Sequence, residues 1–197
     1  MKKYQVLYID PPWSYNTNGA PASHRPCLDK GDKPHSVNHY YKTMSLNDIK
    51  TLPIQNLTDK NAIIFMWATN PLLPEAFEVL KSWNLKYKTC FTWHKINSKG
   101  MGYWFRGYTE HLLLAIKGNV KAFRCLEPNF KSTKVGKHSE KPVFFRELIE
   151  DVTSDYPAKL EMFARNEVSL FSEQFNQKWD FFGNEAKNSI DLSAYQS

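Results

Sequence analysis

Six short apolar runs alternate with amphipathic stretches along this chain, and this alternation restricts the fold more than any other feature of the sequence. The runs are rich in β-branched and aromatic residues, and most are too apolar for a sheet that leaves one face in water. We therefore predict a sheet that is covered on both faces. The predicted strands are residues 5–10, 62–69, 88–95, 111–118, 160–165 and 179–183.

Three stretches between these runs carry helix signals. Ser45 with Asp48 predicts a helix that ends near Leu52, Asn70-Pro71 opens a second helix, and a third runs from Pro142 to about Val152. Strands that alternate with helices predict a three-layer α/β domain with a parallel or mixed sheet. The predicted buried positions are Leu73, Ala76, Phe77 and Leu80 in the second helix, and Phe145, Leu148, Ile149 and Val152 in the third.

Length and composition restrict the domain count and the cellular setting. A chain of 197 residues that is 42% hydrophobic suits one domain with one core, predicted over residues 1–185 and followed by a tail at 186–197. No apolar run approaches the roughly 20 residues that span a bilayer, and the N-terminus does not resemble a signal peptide. Three widely spaced cysteines argue against a disulfide framework. A cytoplasmic protein is expected, and its net charge of +6 suits a polyanionic partner.

The segment Asp10-Pro11-Pro12-Trp13 follows the first predicted strand, where ligands of open α/β sheets bind. Consecutive prolines lack backbone N–H groups and fix φ near about −65°, so their carbonyls are predicted to be rigid acceptors. With the Asp10 carboxylate they are suited to accept two N–H bonds from a planar amine while Trp13 stacks on its ring. A long loop at residues 14–39, rich in Pro, Gly, Asn, Lys and His, leaves this motif and is predicted to bind a ligand.

A D-P-P-W motif after an apolar strand resembles the catalytic motif of the DPPW-type adenine-N6 methyltransferases, the family of the mRNA adenosine-N6 methyltransferase catalytic subunit. The similarity covers most of residues 4–185, and the chain is identified as a bacterial or phage member. Further segments that resemble the family, in family order, are residues 41–53, 65–74, 93–97, 102–114, 138–142, 161–165 and 179–185.

The resemblance implies a Rossmann-like class I methyltransferase fold in circularly permuted order, with S-adenosylmethionine as cofactor and no metal. The absence of an N-terminal G-x-G-x-x-G agrees with a cofactor that has no phosphate. By position, Lys141 matches a lysine for the methionine carboxylate and Arg165 an arginine near the ribose. Asn166 and Glu167 stand where many members have His-Asn. The cofactor-binding residues that the resemblance implies are Asp10, Lys141, Glu161, Phe163, Arg165, Asn166, Asn184 and Glu185.

The resemblance also implies that Asp10 and the Pro11 carbonyl accept the adenine N6 hydrogens, and that a base flipped out of a duplex stacks on Trp13. DNA is favoured over RNA as the substrate, because the compact chain lacks the RNA-binding modules of some relatives. The residues expected to contact the substrate are Trp13, Tyr15, Tyr41, Trp104 and Arg106, with Tyr40 as a further candidate for the wall opposite Trp13.

Several alternatives stay open at this point. The chain could methylate RNA, methylate cytosine N4, or serve as a non-catalytic nucleic-acid-binding subunit, and it could act as a homodimer or with a partner subunit. Trp13 could be core packing alone, and Asp10 a turn residue. Residues 131–137 form a basic run that reads as a solvated turn or as a segment that tracks a phosphate backbone. His111 is expected to be a satisfied histidine at a strand start, and zinc binding by His24, Cys27, His35 and His39 is not favoured.

Overall fold

The computed structural model describes residues 1–14, 43–98, 100, 104–136, 140–163, 179–183 and 190–196. These residues contain strands and α-helices, together with two short 3₁₀ segments at Asn70–Leu72 and Leu192–Tyr195. The strands are β1 (Tyr4–Ile9), β2 (Thr58–Thr69), β3 (Lys86–Ile96), β4 (Thr109–Lys117), β5 (Phe130–Lys134), β6 (Lys159–Met162) and β7 (Trp179–Phe182). The helices are α1 (Leu46–Lys50), α2 (Ile54–Leu57), α3 (Leu73–Ser82) and α4 (Val143–Val152).

The described strands form one seven-stranded sheet in the order β5-β3-β4-β2-β1-β6-β7. Strand β4 is antiparallel to both of its neighbours, and all other neighbouring pairs are parallel. The start of β4 therefore lies at the same edge as the carboxyl ends of the other strands, and Glu110 is paired with Thr69 there. This edge, called the carboxyl edge below, is where open α/β sheets bind ligands.

Strand β2 explains why both faces of the sheet are covered. Its alternate residues point to opposite sides, so Ile64 and Met66 enter one core while Phe65 and Trp67 enter another. Helices α1, α2 and α3 cover the first core, and α4 covers the second. Full burial of one such side chain contributes roughly 1.5–3 kcal/mol. The predicted three-layer, mostly parallel α/β fold is confirmed.

The predicted start of α1 is also confirmed. The Ser45 hydroxyl accepts a hydrogen bond from the Asp48 N–H at 3.1 Å, and the Asp48 carboxylate accepts one from the Ser45 N–H at 3.3 Å. This reciprocal capping box satisfies two of the N–H groups that a helix start leaves without intrahelical partners.

The second predicted helix differs from the structure in two respects. Asn70 and Pro71 lie in a 3₁₀ turn, and α3 begins only at Leu73. Phe77 is exposed, and it packs edge to face on Tyr87 with their ring centroids 5.0 Å apart. Its predicted place on the buried face is wrong because Ala76, Val79 and Leu80 already form the face that meets the sheet.

Strand β5 was not predicted, and the expectation of a turn at the basic run is wrong for Lys131–Lys134. Residues 130–134 pair in parallel with β3 at the edge of the sheet. The Trp93 indole N–H donates to the Thr133 hydroxyl at 2.8 Å, which ties this strand to the core. Lysines are common on edge strands because charge discourages pairing with other chains.

Part of the predicted tail packs against the domain. Leu192 and Tyr195 are buried in the core under α1–α3. The Tyr195 hydroxyl donates to the Lys2 carbonyl at 2.9 Å, and the Asn56 amide donates to the Tyr195 carbonyl at 2.8 Å. Among the described residues, no helix is long and apolar enough to cross a membrane.

Candidate active site

Asp10 leaves β1 at the carboxyl edge, where its backbone is fixed on both sides. Its N–H donates to the carbonyl of Met162, at the end of β6, at 3.3 Å. After it, the Trp13 N–H donates to the Pro11 carbonyl and the Met44 N–H donates to the Pro12 carbonyl, both at 2.8 Å. Each of these two carbonyls therefore accepts one backbone N–H. A carbonyl oxygen has two lone pairs, so each retains one for a ligand.

Trp13 anchors this turn to the sheet. Its side chain is only 6% exposed and belongs to the core under α1–α3. The indole N–H donates to the Trp67 carbonyl in β2 at 3.1 Å. The structure thus supports a packing role for Trp13 in the core. Its stacking on a substrate base stays a prediction.

A cluster of alternating charges surrounds Asp10. The ammonium of Lys141, one residue before Pro142 at the start of α4, lies 2.7 Å from the Asp10 carboxylate and 3.5 Å from the carboxylate of Glu110. The other Glu110 oxygen pairs with Lys95 at the end of β3. The Lys141 ammonium also lies 5.3 Å from the centroid of the Trp67 ring. We call Asp10, Lys141, Glu110 and Lys95 the charged cluster.

The lysines of this cluster favour the ionised form of Glu110. Burial alone would raise the pKa of Glu110, but the nearby ammonium groups of Lys141 and Lys95 outweigh it and lower that pKa. Two cations and two anions give the charged cluster no net charge. Asp10 is therefore presented as an oriented carboxylate that can accept hydrogen bonds from an amine.

Two of the predicted cofactor residues lie in or just after β6. Glu161 is buried beside Tyr8 of β1 and pairs with Arg146 of α4, with 2.5 Å between the charged atoms. Phe163 has a φ of 63°, which is uncommon for a residue with a side chain, and its N–H donates to the Phe182 carbonyl at 2.5 Å. These contacts turn the chain sharply at the carboxyl edge, next to Asp10.

Sequence reasoning missed Arg146. The helix over residues 142–152 is predicted from its apolar positions alone, and no role is assigned to Arg146. The structure buries it beside Phe145 and Ile149. The available signal was its spacing, because Arg146 lies three residues before Ile149 and so on the same helix face.

The segment between β3 and β4 forms a loop closed at its base by two glycines. A side chain on Gly100 would lie 2.6 Å from the Gly107 carbonyl oxygen, so the two backbone segments touch there. Beyond this neck, Trp104 and Phe105 are 95% and 89% exposed, and Arg106 is also exposed. Lys95 and Glu110 flank this segment in sequence and pair with each other in the charged cluster. The roles of Trp104 and Arg106 as substrate contacts stay predictions.

Several predicted site residues lie outside the described residues, namely Tyr15, Tyr40, Tyr41, Arg165, Asn166, Asn184 and Glu185. The same holds for the four residues considered for zinc, His24, Cys27, His35 and His39. Within the described part of the chain, no cluster of His, Cys, Asp and Glu is suited to a metal ion, and Cys90 and Cys125 are free thiols.

His111 is a satisfied histidine, as predicted. Its Nδ1 lies 3.1 Å from the Thr92 hydroxyl oxygen and its Nε2 lies 2.6 Å from the Asn70 side-chain oxygen. Burial lowers the pKa of this imidazole, although the charge of Glu110 opposes the shift. These contacts join β3 and β4 to the residue that follows β2.

A mostly parallel sheet with one internal antiparallel strand, together with an acidic Pro-Pro turn at its carboxyl edge, places the chain in the class of Rossmann-like methyltransferases. The model of the MT-A70 family matches residues 4–185, and the chain belongs to this family.

Individual relatives agree with this assignment. The chain is 32% identical over 178 residues to the type II methyltransferase M.MunI of Mycoplasma sp, and the match covers 84% of this chain and 73% of that protein. It is 29% identical over 132 residues to the N(6)-adenosine-methyltransferase MT-A70-like protein of Arabidopsis thaliana, with coverages of 64% and 19%. It is 25% identical over 171 residues to the N(6)-adenosine-methyltransferase catalytic subunit METTL3 of Homo sapiens, with coverages of 83% and 26%. The chain thus spans about a quarter or less of these two eukaryotic relatives.

Proposed function

We propose that this protein transfers a methyl group from S-adenosylmethionine to N6 of adenine in nucleic acid, and that its substrate is DNA. The observation that carries the proposal is the arrangement at the end of β1. There the Asp10 carboxylate and the Pro11 carbonyl stand together, and Lys141 lies 2.7 Å from Asp10.

The chemistry follows from a property of the adenine amine. Its lone pair is delocalised into the ring, so the nitrogen is a poor nucleophile until that pair is localised. Asp10 accepts one N6 hydrogen and the free lone pair of the Pro11 carbonyl accepts the other. Both bonds favour a pyramidal nitrogen whose lone pair is directed at the methyl group. Positioning of this kind can supply roughly 7–11 kcal/mol.

Charge also favours the reaction at this position. Positive charge grows on N6 as the bond to carbon forms, and the ionised Asp10 stabilises it. Lys141 pairs with Asp10 and fixes the orientation of its carboxylate. The extra proton leaves the methylated nitrogen afterwards, either to Asp10 or to solvent.

S-adenosylmethionine supplies the electrophilic methyl group when it is bound, and the described residues suit its functional groups. Lys141 offers a cation for a carboxylate, Glu161 offers an acceptor for hydroxyl or ammonium groups, and Phe163 offers an aromatic wall. All three lie at the carboxyl edge beside β1 and β6. We expect Arg165, Asn166, Asn184 and Glu185 to complete the cofactor site.

Substrate recognition is assigned to the exposed groups around this edge. An adenine in a duplex has to be flipped out to reach Asp10, which costs a few kcal/mol. Trp104 offers a stacking surface and Arg106 a cation for phosphate or base, and Tyr15 and Tyr41 are the remaining candidates. Trp13 is expected to meet the base only along the edge of its buried indole.

The preference for DNA over RNA rests on sequence similarity. The chain is 32% identical to the type II methyltransferase M.MunI and 25% identical to the human N(6)-adenosine-methyltransferase catalytic subunit. We infer that the protein shares the substrate class of the first relative. RNA is the alternative substrate.

The test is transfer of tritium from labelled S-adenosylmethionine to adenine-containing DNA and RNA, each single-stranded and duplex, followed by nucleoside analysis. N6-methyl-2′-deoxyadenosine is the expected product. N6-methyladenosine would replace DNA by RNA in the proposal. No product on any substrate, despite cofactor binding, would instead favour a non-catalytic subunit.

Asp10→Ala is the matching variant. We expect it to lower transfer by a factor on the order of a hundred to a thousand, while cofactor binding is retained. Asp151→Ala, at an exposed position in α4, serves as the control and should behave like the wild type. Turnover at the wild-type rate by Asp10→Ala would remove Asp10 from the mechanism.

A further inference from the structure

Arg146 is a buried cation in the helix face that α4 packs on the sheet. Its side chain is only 9% exposed, and its Nη2 lies 2.5 Å from Oε2 of Glu161 in β6. Its guanidinium carbon lies 5.6 Å from the centroid of the Trp179 ring and 5.3 Å from that of Phe181. Glu161 is the carboxylate that pairs with Arg146 in the part of the chain that the structure describes.

This ion pair is poorly hydrogen-bonded for its depth. Nε, Nη1 and Nη2 of Arg146 and Oε2 of Glu161 have no well-directed hydrogen-bond partner among the described residues. The 2.5 Å contact is therefore a close approach of charges and not a bidentate fork. Buried charges of this kind often contribute less to stability than apolar side chains of the same volume would. Arg146 is consequently a poor choice if it serves only to fasten α4 to the sheet.

A second ion pair already fastens the same two elements. Lys159, at the start of β6, lies 2.7 Å from the Glu150 carboxylate of α4. The same Glu150 oxygen accepts a hydrogen bond from the Trp179 indole N–H at 2.8 Å. This pair is hydrogen-bonded and lies away from the carboxyl edge, so it suits a structural role.

The Arg146–Glu161 pair, by contrast, lies next to the proposed active site. Glu161 is in register with Tyr8, two residues before Asp10. The groups that face Glu161 are Arg146 from α4 and Tyr8 and Asp10 from β1. Burial raises the pKa of Glu161 above its ordinary value, the guanidinium of Arg146 limits that rise, and the charge of Asp10 adds to it. Without Arg146, Glu161 would be a buried acid beside a second acid, which favours its protonated form.

We propose that Arg146 is a positioning residue that keeps Glu161 in its carboxylate form, so that the site presents a second acceptor beside Asp10 to the cofactor at neutral pH. The inference rests on the proposed function through the assignment of Glu161 to the cofactor site. An ionised Glu161 accepts hydrogen bonds only, whereas a protonated one would compete as a donor.

The experiment measures S-adenosylmethionine binding by calorimetry between about pH 6 and about pH 9. We compare wild type, Arg146→Met, Arg146→Lys and the double variant Glu150→Gln/Lys159→Met, which removes the second ion pair. Arg146→Met should weaken binding about tenfold near neutral pH, which corresponds to about 1.4 kcal/mol, and recover at high pH as Glu161 ionises. Arg146→Lys should restore the wild-type pH profile. The double variant should lower the melting temperature without a new pH dependence of binding.

A structural role for Arg146 predicts a different result. Arg146→Met would then lower the melting temperature as the double variant does, and its binding profile would keep the wild-type dependence on pH. That outcome would overturn the proposal, as would a double variant that reproduces the pH shift. If Arg146→Met does not fold, S-adenosylmethionine binding by the Glu161→Gln variant is measured instead. Weakened binding at every pH supports the proposal, and wild-type binding refutes it.

Failure of the proposed function is recognisable separately. A wild-type protein that binds no S-adenosylmethionine would overturn both the cofactor assignment and this inference. A wild-type protein that binds the cofactor, together with an Arg146→Met variant that binds it equally well at every pH, would overturn this inference alone.

Discussion

Lys141 shows, at the scale of single residues, how one side chain can serve two anions. The resemblance assigns it to the carboxylate of the cofactor, and the structure places it 2.7 Å from Asp10. The two assignments are compatible because an ammonium group has three donors and can therefore serve more than one anion at the same time. We therefore propose that Lys141 links the cofactor site to Asp10, the proposed acceptor for the adenine amine.

Lys141→Ala should weaken S-adenosylmethionine binding about tenfold to a hundredfold, since a hydrogen bond to a charged group contributes about 1.5–3 kcal/mol. It should also lower the transfer rate at saturating cofactor, because Asp10 loses its orientation. Binding is measured by calorimetry and turnover by methyl transfer. Lys95→Met is the control, since the ion pair of Lys95 among the described residues is with Glu110 and not with Asp10. An unchanged cofactor affinity in Lys141→Ala would show that the residue is wrongly assigned.

At the scale of secondary-structure elements, the sequence predicted a strand that is buried on both faces, β2, and missed the edge strand β5. Residues 62–69 form a continuous apolar run because β2 lies between two cores, and the strand was recognised from that run. Strand β5 has polar residues at both alternate sets of positions and depends on pairing with β3, which no local pattern records. Its lysines were therefore read as a turn.

The same distinction applies to the candidate site. The position of Asp10 after β1 was predictable, because the motif and the strand are adjacent in sequence. Its contact with Lys141 joins residues 131 positions apart, and the pairing of Arg146 with Glu161 joins a helix to a strand. Contacts of this kind come from the packing of elements, so only the fold reveals them.

The loop between β3 and β4 yields a prediction at this scale. Gly100→Ala places a methyl group against the Gly107 carbonyl, so these two backbone segments must move apart. The exposed residues Trp104 and Phe105 must then shift. We expect the KM for nucleic acid to rise about tenfold while cofactor affinity is unchanged, because a displaced binding group loses on the order of 1.4 kcal/mol. The control is Gly136→Ala, where an added side chain would meet only the flexible carboxylate of Glu140. An unchanged KM in Gly100→Ala would show that the loop does not contact the substrate.

At the scale of the whole molecule, the excess positive charge of the protein does not come from the charged cluster at the proposed active site. The net charge is +6, yet the charged cluster at the active site carries none of it, since two lysines balance two acids. Attraction for a polyanion must then come from the surrounding surface. The outer segment at 118–136 is one source, because it contains four basic residues, Lys121, Arg124, Lys131 and Lys134, against the single acid Glu127.

Salt dependence tests whether this outer segment tracks a phosphate backbone. Each phosphate contact contributes about −0.9 to the slope of log affinity against log salt on duplex DNA. Between about 50 and about 200 mM salt, we expect the affinity of the wild type for DNA to fall steeply while its affinity for the cofactor barely changes. Lys131→Ala/Lys134→Ala should make that slope shallower by about 2, because two lysine contacts are removed. The matched control is Lys81→Ala/Lys86→Ala, which removes the same charge from the last turn of α3 and the start of β3, at the end of the strands away from the carboxyl edge. Equal slopes for the two double variants would mean that β5 contributes only to the general positive potential of the protein surface. A shallower slope for Lys131→Ala/Lys134→Ala alone would place the substrate backbone along this edge strand.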